Sequence, residues 1–305
     1  MWITHKATQH GVFQNKDMRT VTTTIVGIFY FSLASFLFVL NGVLLMTLLT
    51  NKEFKSSTYR VIINMNIACM MLLSVFVVGG VMTVAQTTFN YYLDRILGAL
   101  VIASWLLYVS LTLALAVDRL ITFVCPRSSK FSIATTILTI LSWILWFVVL
   151  IVLSLPGYRV SYDGGNMFYY WNYTDEPGAQ IFLNCEPYYD ISVIVMVLFI
   201  YMAVFSHLRK MGHMSGNQSS SFKAEMRIFV VAFISFTYET LCVILWFWIP
   251  ESLGKLEATN IAMNTAWIVE GGMFVTLTLI ISTNLRRSVI RTMRKKNKVF
   301  VVSHT

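Results

Sequence analysis

Apolar residues along the chain gather into seven long stretches separated by polar segments. The stretches run near residues 24–49, 61–86, 96–124, 132–155, 190–208, 225–249 and 260–285. The polar breaks fall at 51–60, 87–95, 126–131, 157–189, 208–222 and 250–259. Crossing about 30 Å of hydrocarbon takes roughly 20 helical residues, which each stretch approaches or exceeds. Backbone groups in lipid must be satisfied inside their own segment, so the pattern predicts helices rather than open strands. The expected fold is an all-α membrane protein, a seven-transmembrane helix bundle over 24–285. Residues 1–23 form a tail before it and 286–305 a basic tail after it. One break has a second pattern inside it. Arg159 to Tyr162, Asp163 to Asn166 and Met167 to Trp171 read as strand, turn and strand.

Composition narrows the class of protein. Of 305 residues, 57% are hydrophobic and 12% charged, with mean hydropathy +0.69. Soluble domains carry about a quarter charged residues, so a soluble enzyme, a nucleic-acid binder and a disordered chain all fit poorly. Four Cys give neither a disulfide framework nor zinc-ligand spacing. No phosphate loop or catalytic triad is present, so neither cofactor, metal nor enzymatic activity is expected. The first 20 residues lack a short apolar core with a small-residue cleavage site, so helix 1 reads as an uncleaved signal-anchor.

The net charge of +9 is explained by sidedness. With the N-terminus outside, 17 of the 23 Lys and Arg face the cytoplasm; of the acids, nine face outward, three inward and two lie within helices. Basic loops stay inside, so the expected orientation is N-terminus out and C-terminus in. The sequon Asn172-Tyr173-Thr174 falls in the outer loop after helix 4 as a glycosylation acceptor, while Asn217-Gln218-Ser219 falls inside and should stay bare. The positive charge therefore faces anionic lipid and intracellular partners rather than nucleic acid. From Leu285 to Lys298, Leu285, Val289, Ile290 and Met293 share one helical face, as in an interfacial amphipathic helix.

Two acids lie midway along helices, Glu239 and Glu270. Each costs about 2.5–3.5 kcal/mol on insertion scales, so both should face inward. No Lys or Arg within a helix pairs with them. They are expected either to lie together as a ligand anchor or latch, or to sit apart, each bonded to a helix backbone or hydroxyl. A pocket near them would draw on Val101, Trp105, Tyr108, Trp246, Trp267 and Glu270. The aromatic strands would cap it, or serve as an interfacial aromatic belt.

The end of helix 3 reads Ala114-Leu115-Ala116-Val117-Asp118-Arg119-Leu120, with Pro126 eight residues after Asp118. This resembles the Asp-Arg-Tyr motif of the rhodopsin-like G-protein-coupled receptors, with Leu120 in place of Tyr. Asn41 and Asn64, spaced by a short basic loop, and Trp146 with Pro156 are similar to the family's polar and helix 4 positions. The stretch Ile96 to Tyr108 and the ending Asn284-Leu285-Arg286 resemble the nematode serpentine chemoreceptors of class T or class X. The resemblance implies a chemosensory receptor at the plasma membrane, or the sensory cilium, that binds an external small molecule within the bundle. It would activate a heterotrimeric G protein through Asp118, Arg119 and Pro126. Several features depart from the wider family. Cys69 stands where a sodium-binding Asp is usual, and helix 6 lacks a mid-helix Pro. Helix 7 keeps only Asn284 of its usual ending and has no Lys for a retinal Schiff base. The family disulfide would need a Cys at position 94, which is Asp94, so Cys185 is left unpaired or bridging between chains. The alternative is a small-solute transporter or channel using Glu239 and Glu270, for which repeats or broken helices would be expected.

Overall fold

A computed structural model describes residues 3–124, 130–163, 170–212, 220–248, 257–283 and 285–292. Pro126, Asn284, Asn217 and Met293 lie outside them. Seven helices follow in order: α1 Ile3–Thr50, α2 Ser57–Ala85, α3 Tyr91–Val124, α4 Lys130–Ser154, α5 Pro177–Gly212, α6 Ser220–Trp248 and α7 Glu257–Ile281. A 3-10 turn at Lys52–Phe54 joins α1 to α2, and residues 285–292 are helical. All seven helices contain spans long and apolar enough to cross a membrane. Between α4 and α5 lies an antiparallel hairpin, β1 Val160–Asp163 paired with β2 Tyr170–Tyr173. The hairpin is the one expected from the sequence; of its turn, 164–169 lies outside the described residues.

Burial ranks the helices. In α3, 83% of the apolar span is buried, against 17% in α4. Small residues along α3, among them Gly98, Ala99, Ala103, Ala114 and Ala116, let neighbouring backbones approach closely, as packing in lipid requires. α4 instead turns Ile133, Ile137, Ile140, Leu141 and Ile144 outward, a continuous apolar stripe at helical spacing. α3 is therefore the axis, and α4 a lipid-facing outer member.

Two boundaries differ from the sequence reading. α1 extends back to Ile3, so the expected tail is continuous with the first span; no Pro interrupts it. α5 starts at Pro177 rather than near 190. Pro is well suited to the first helical position, where its missing N–H has no intrahelical role. Pro187 lies inside the helix, which neighbouring groups in a bundle tolerate. As a result, Glu186 and Asp190, expected among the outer acids, are four residues apart on one buried face of α5. Residues 285–292 also differ: Leu285 and Val289 pack into the core cluster, while Ile290 is exposed.

Candidate functional site

The hairpin is docked by Asp94, near the start of α3. Its carboxylate accepts from Arg159 Nη2 at 2.7 Å, from Ser161 Oγ at 2.6 Å and from the backbone N–H of Tyr162 at 2.8 Å. Asp94 is fully buried, so three donors with one cation are what make its burial tolerable. One helical turn on, Gly98 is needed for contact: a Cβ there would lie 2.1 Å from the Val160 carbonyl oxygen. Tyr162 and Trp171, paired across the strands with ring centroids 4.8 Å apart, are both buried. The Tyr162 hydroxyl is 2.8 Å from that of Thr83 on α2. The hairpin is thus an inserted plug, fixed by polar bonds at the position where the family disulfide would need a Cys. Cys185 is a free, exposed thiol.

Beneath the hairpin lies a cavity walled by α3, α5, α6, α7 and β2. The space open to the centres of water-sized spheres is about 60 Å³, enough for a few water-sized groups at roughly 10–15 Å³ each. Of the residues expected to form a pocket, Trp105, Trp246, Trp267 and Glu270 line it. Val101 is packed in the core, and Tyr108 stacks behind Trp105 at 6.3 Å. The three indoles form one wall: Trp105 meets Trp267 edge-on at 6.1 Å, and Trp246 is 5.3 Å from Trp267. Asn172, the outer sequon residue, is half-buried in β2 and also borders the cavity.

Glu186 and Asp190 of α5 join Glu270 in the lining. The Trp105 indole donates to Asp190 Oδ2 at 3.3 Å, and the Tyr173 hydroxyl donates to Glu186 Oε2 at 2.9 Å. Burial, with Glu186 beside it, pushes the Tyr173 phenol well above its ordinary range, so the hydroxyl keeps its proton. Asp190 Oδ1 and both oxygens of Glu270 have no hydrogen-bond partner among the described residues. Among the described residues, no Lys, Arg or His lines the cavity. The α5 acids are not legible as lining in sequence because Glu186 stands in the polar break and Asp190 at the very edge of the apolar stretch; Pro177 is the available signal that the helix has already begun.

Glu239 does not line the cavity. It sits seven residues along α6 from Trp246, about 10 Å deeper at the helical rise. Its Oε2 is 3.2 Å from Thr112 Oγ1 of α3, whose one hydroxyl hydrogen is shared with the Tyr108 carbonyl oxygen at 3.1 Å.

Arg119 lies 14 residues along α3 from Trp105, about 21 Å away. It is fully buried. Nη2 meets Asp118 Oδ2 at 2.5 Å, and Nη1 meets Glu225 Oε2 of α6 at 2.6 Å. Nη2 also donates to Thr58 of α2, whose hydroxyl donates onward to Asp118 Oδ2 at 2.7 Å. The Asp118–Arg119 pair read from the sequence is present, but it is part of a clasp joining α2, α3 and α6. Nearby, Arg227 Nη1 donates to Thr283 at 2.7 Å, tying α6 to the residues that follow α7.

The other polar positions are structural ties. Asn41 on α1 donates to the Leu37 carbonyl oxygen at 2.8 Å and to that of Gly271 on α7 at 3.2 Å. Asn64 on α2 accepts from Trp143 Nε1 at 2.8 Å. Trp143 is thus the α4 indole that reaches across; Trp146 Nε1 has no partner among the described residues.

Residues 8–300 match the family described as serpentine type seven-transmembrane GPCR chemoreceptor Srt. Among solved structures, the crystal structure of squid rhodopsin superposes with a TM-score of 0.71 at 13% identity, covering 90% of this chain and 86% of that one. At that identity the likeness is one of fold. No curated protein sequence matches.

Proposed function

This chain belongs to the Srt family of serpentine seven-transmembrane G-protein-coupled chemoreceptors, and on that premise we propose that it binds an external small molecule in the cavity beneath the hairpin and activates a heterotrimeric G protein at the opposite end. The observation that carries the reading is the pairing of an open cavity with a closed Arg119 clasp in one bundle, sharing α3 and α6. At about 21 Å, a small ligand in the cavity cannot touch Arg119. It acts by favouring an arrangement of α3 and α6 in which the clasp is open, and only through tighter binding to that arrangement. Arg119 is then free to meet the G protein. The inner face and basic tail supply positive surface for that partner and for anionic lipid. On this reading the bundle spans the plasma membrane with the hairpin facing outside the cell and the C-terminus inside, an orientation the basic loops favour.

Cells expressing the full chain with a G-protein activation readout, screened against a small-molecule panel, test the reading. At least one compound is expected to evoke a response. Arg119→Ala is expected to abolish it while surface delivery persists. Normal activation by that variant overturns the role of the clasp.

A further inference from the structure

The lining chemistry narrows the ligand class, resting on the receptor reading above. Three carboxylates, Glu186, Asp190 and Glu270, border one small cavity, and all are buried. The other charged clusters of the fold are neutralised from within. Asp94 has Arg159, and Asp118 and Glu225 share Arg119. Among the described residues the cavity acids have no such counter-ion in the lining, so a charge on any of them is left unmatched by the protein. Two of them also present bare acceptors: Asp190 Oδ1, and Glu270 Oε1 and Oε2, have no partner among the described residues. Trp105 donates to Asp190 Oδ2, which fixes that carboxylate and leaves Oδ1 free. Trp105, Trp246 and Trp267 share this lining, and indole rings are the aromatic groups that attract cations best.

We propose that the cavity takes an organic cation, a protonated amine, whose N–H groups donate to Asp190 Oδ1 and the Glu270 carboxylate while its carbon skeleton lies against Trp105, Trp246 and Trp267. A quaternary ammonium has no N–H to fill the bare acceptors. A carboxylate ligand brings further acceptors to a lining that already has three acidic side chains. A neutral alcohol offers one donor and no counter-charge. A volume of about 60 Å³ for the centres of water-sized spheres suits an ammonium head with a short carbon stem.

The test uses the purified full-length protein in detergent and the same protein in cells. The probes are sets matched in skeleton: butylamine with butanol and butyrate, and 2-phenylethylamine with 2-phenylethanol and phenylacetate. Thermal stabilisation reads binding, and G-protein activation reads signalling. At least one amine is expected to bind, with its alcohol and carboxylate counterparts at least tenfold weaker. Asp190→Asn keeps an acceptor for Trp105, and Glu270→Gln keeps shape. Each is expected to lose about 10- to 100-fold in amine affinity, the worth of one charge-assisted hydrogen bond. Glu270→Asp is expected to recover part of that loss, which separates a charge requirement from damage to packing. Binding of a neutral or anionic partner as tightly as its amine overturns the proposal. So does amine binding that survives both variants, or no binding by either amine. Acid-dependent amine binding without G-protein activation upholds the cation site and overturns the receptor reading, whereas signalling to the alcohols alone does the reverse.

Discussion

At the end of the bundle away from the hairpin, one buried Arg119 takes two carboxylates and a hydroxyl, and every acid in the cluster meets a cation. At the hairpin end, three acids share a cavity whose lining, among the described residues, holds no Lys, Arg or His. Both sites are built on α3 and α6, in the same kind of low-dielectric interior. A matched cluster holds helices together and must be broken to act. An unmatched one carries an open electrostatic demand that a ligand can meet. The hairpin end also contains its own matched cluster at Asp94, which secures the plug over the cavity. The contrast is therefore between groups that fix the frame and groups left available inside it.

The contrast is most severely broken at Asp94. Asp94→Ala leaves Arg159 and two further donors without their acceptor, a loss of about 3 kcal/mol. This is the low end for breaking a buried pair, because Arg159 is partly exposed. The measurable outcome is a lower melting temperature of the purified protein and reduced surface delivery. Gly98→Val comes next. Its side chain meets the Val160 carbonyl, and overpacking there costs about 2 kcal/mol. Protease cleavage within the hairpin is expected to accelerate, and unchanged cleavage would show that the plug does not depend on this contact.

Glu225→Gln sharpens the other half. The Glu225 side chain is 31% exposed, so its bond to Arg119 is worth about 0.5–1 kcal/mol. Basal G-protein activation is expected to rise about two- to fivefold if the clasp restrains the inactive arrangement. A fall would mean that Glu225 serves the active one. Trp143→Phe has the smallest effect. It removes the bond to half-buried Asn64 for about 0.5 kcal/mol, far from both clusters. A small drop in melting temperature with unaltered ligand response is expected, and altered signalling would tie α4 to the mechanism.

Much of this organisation is legible in the linear chain. Asp118 and Arg119 could be read as a pair because they are adjacent, and the hairpin because its alternation and turn residues are local. Glu225 could not be assigned to Arg119, since 106 residues separate them. Asp94 was visible only as a missing Cys; its partners Arg159 and Ser161 come from across the bundle. Glu239 and Glu270 both face the interior as their insertion cost requires, yet Glu270 borders the cavity while Glu239 bonds Thr112 deeper in. Which of the two meets a ligand depends on helix rotation and depth, which apolar length does not encode.

The sequence by itself determined the number of spans and the presence of the hairpin, because burying roughly 20 apolar residues in lipid and alternating residues across a strand are local demands. Only the tertiary structure decided where charge is matched. The start of α5 at Pro177 turns Glu186 and Asp190 from loop acids into cavity walls, and the packing of α6 against α3 brings Glu225 to Arg119. Pairing a buried charge requires partners from separate helices. It is settled only when those helices have chosen their faces.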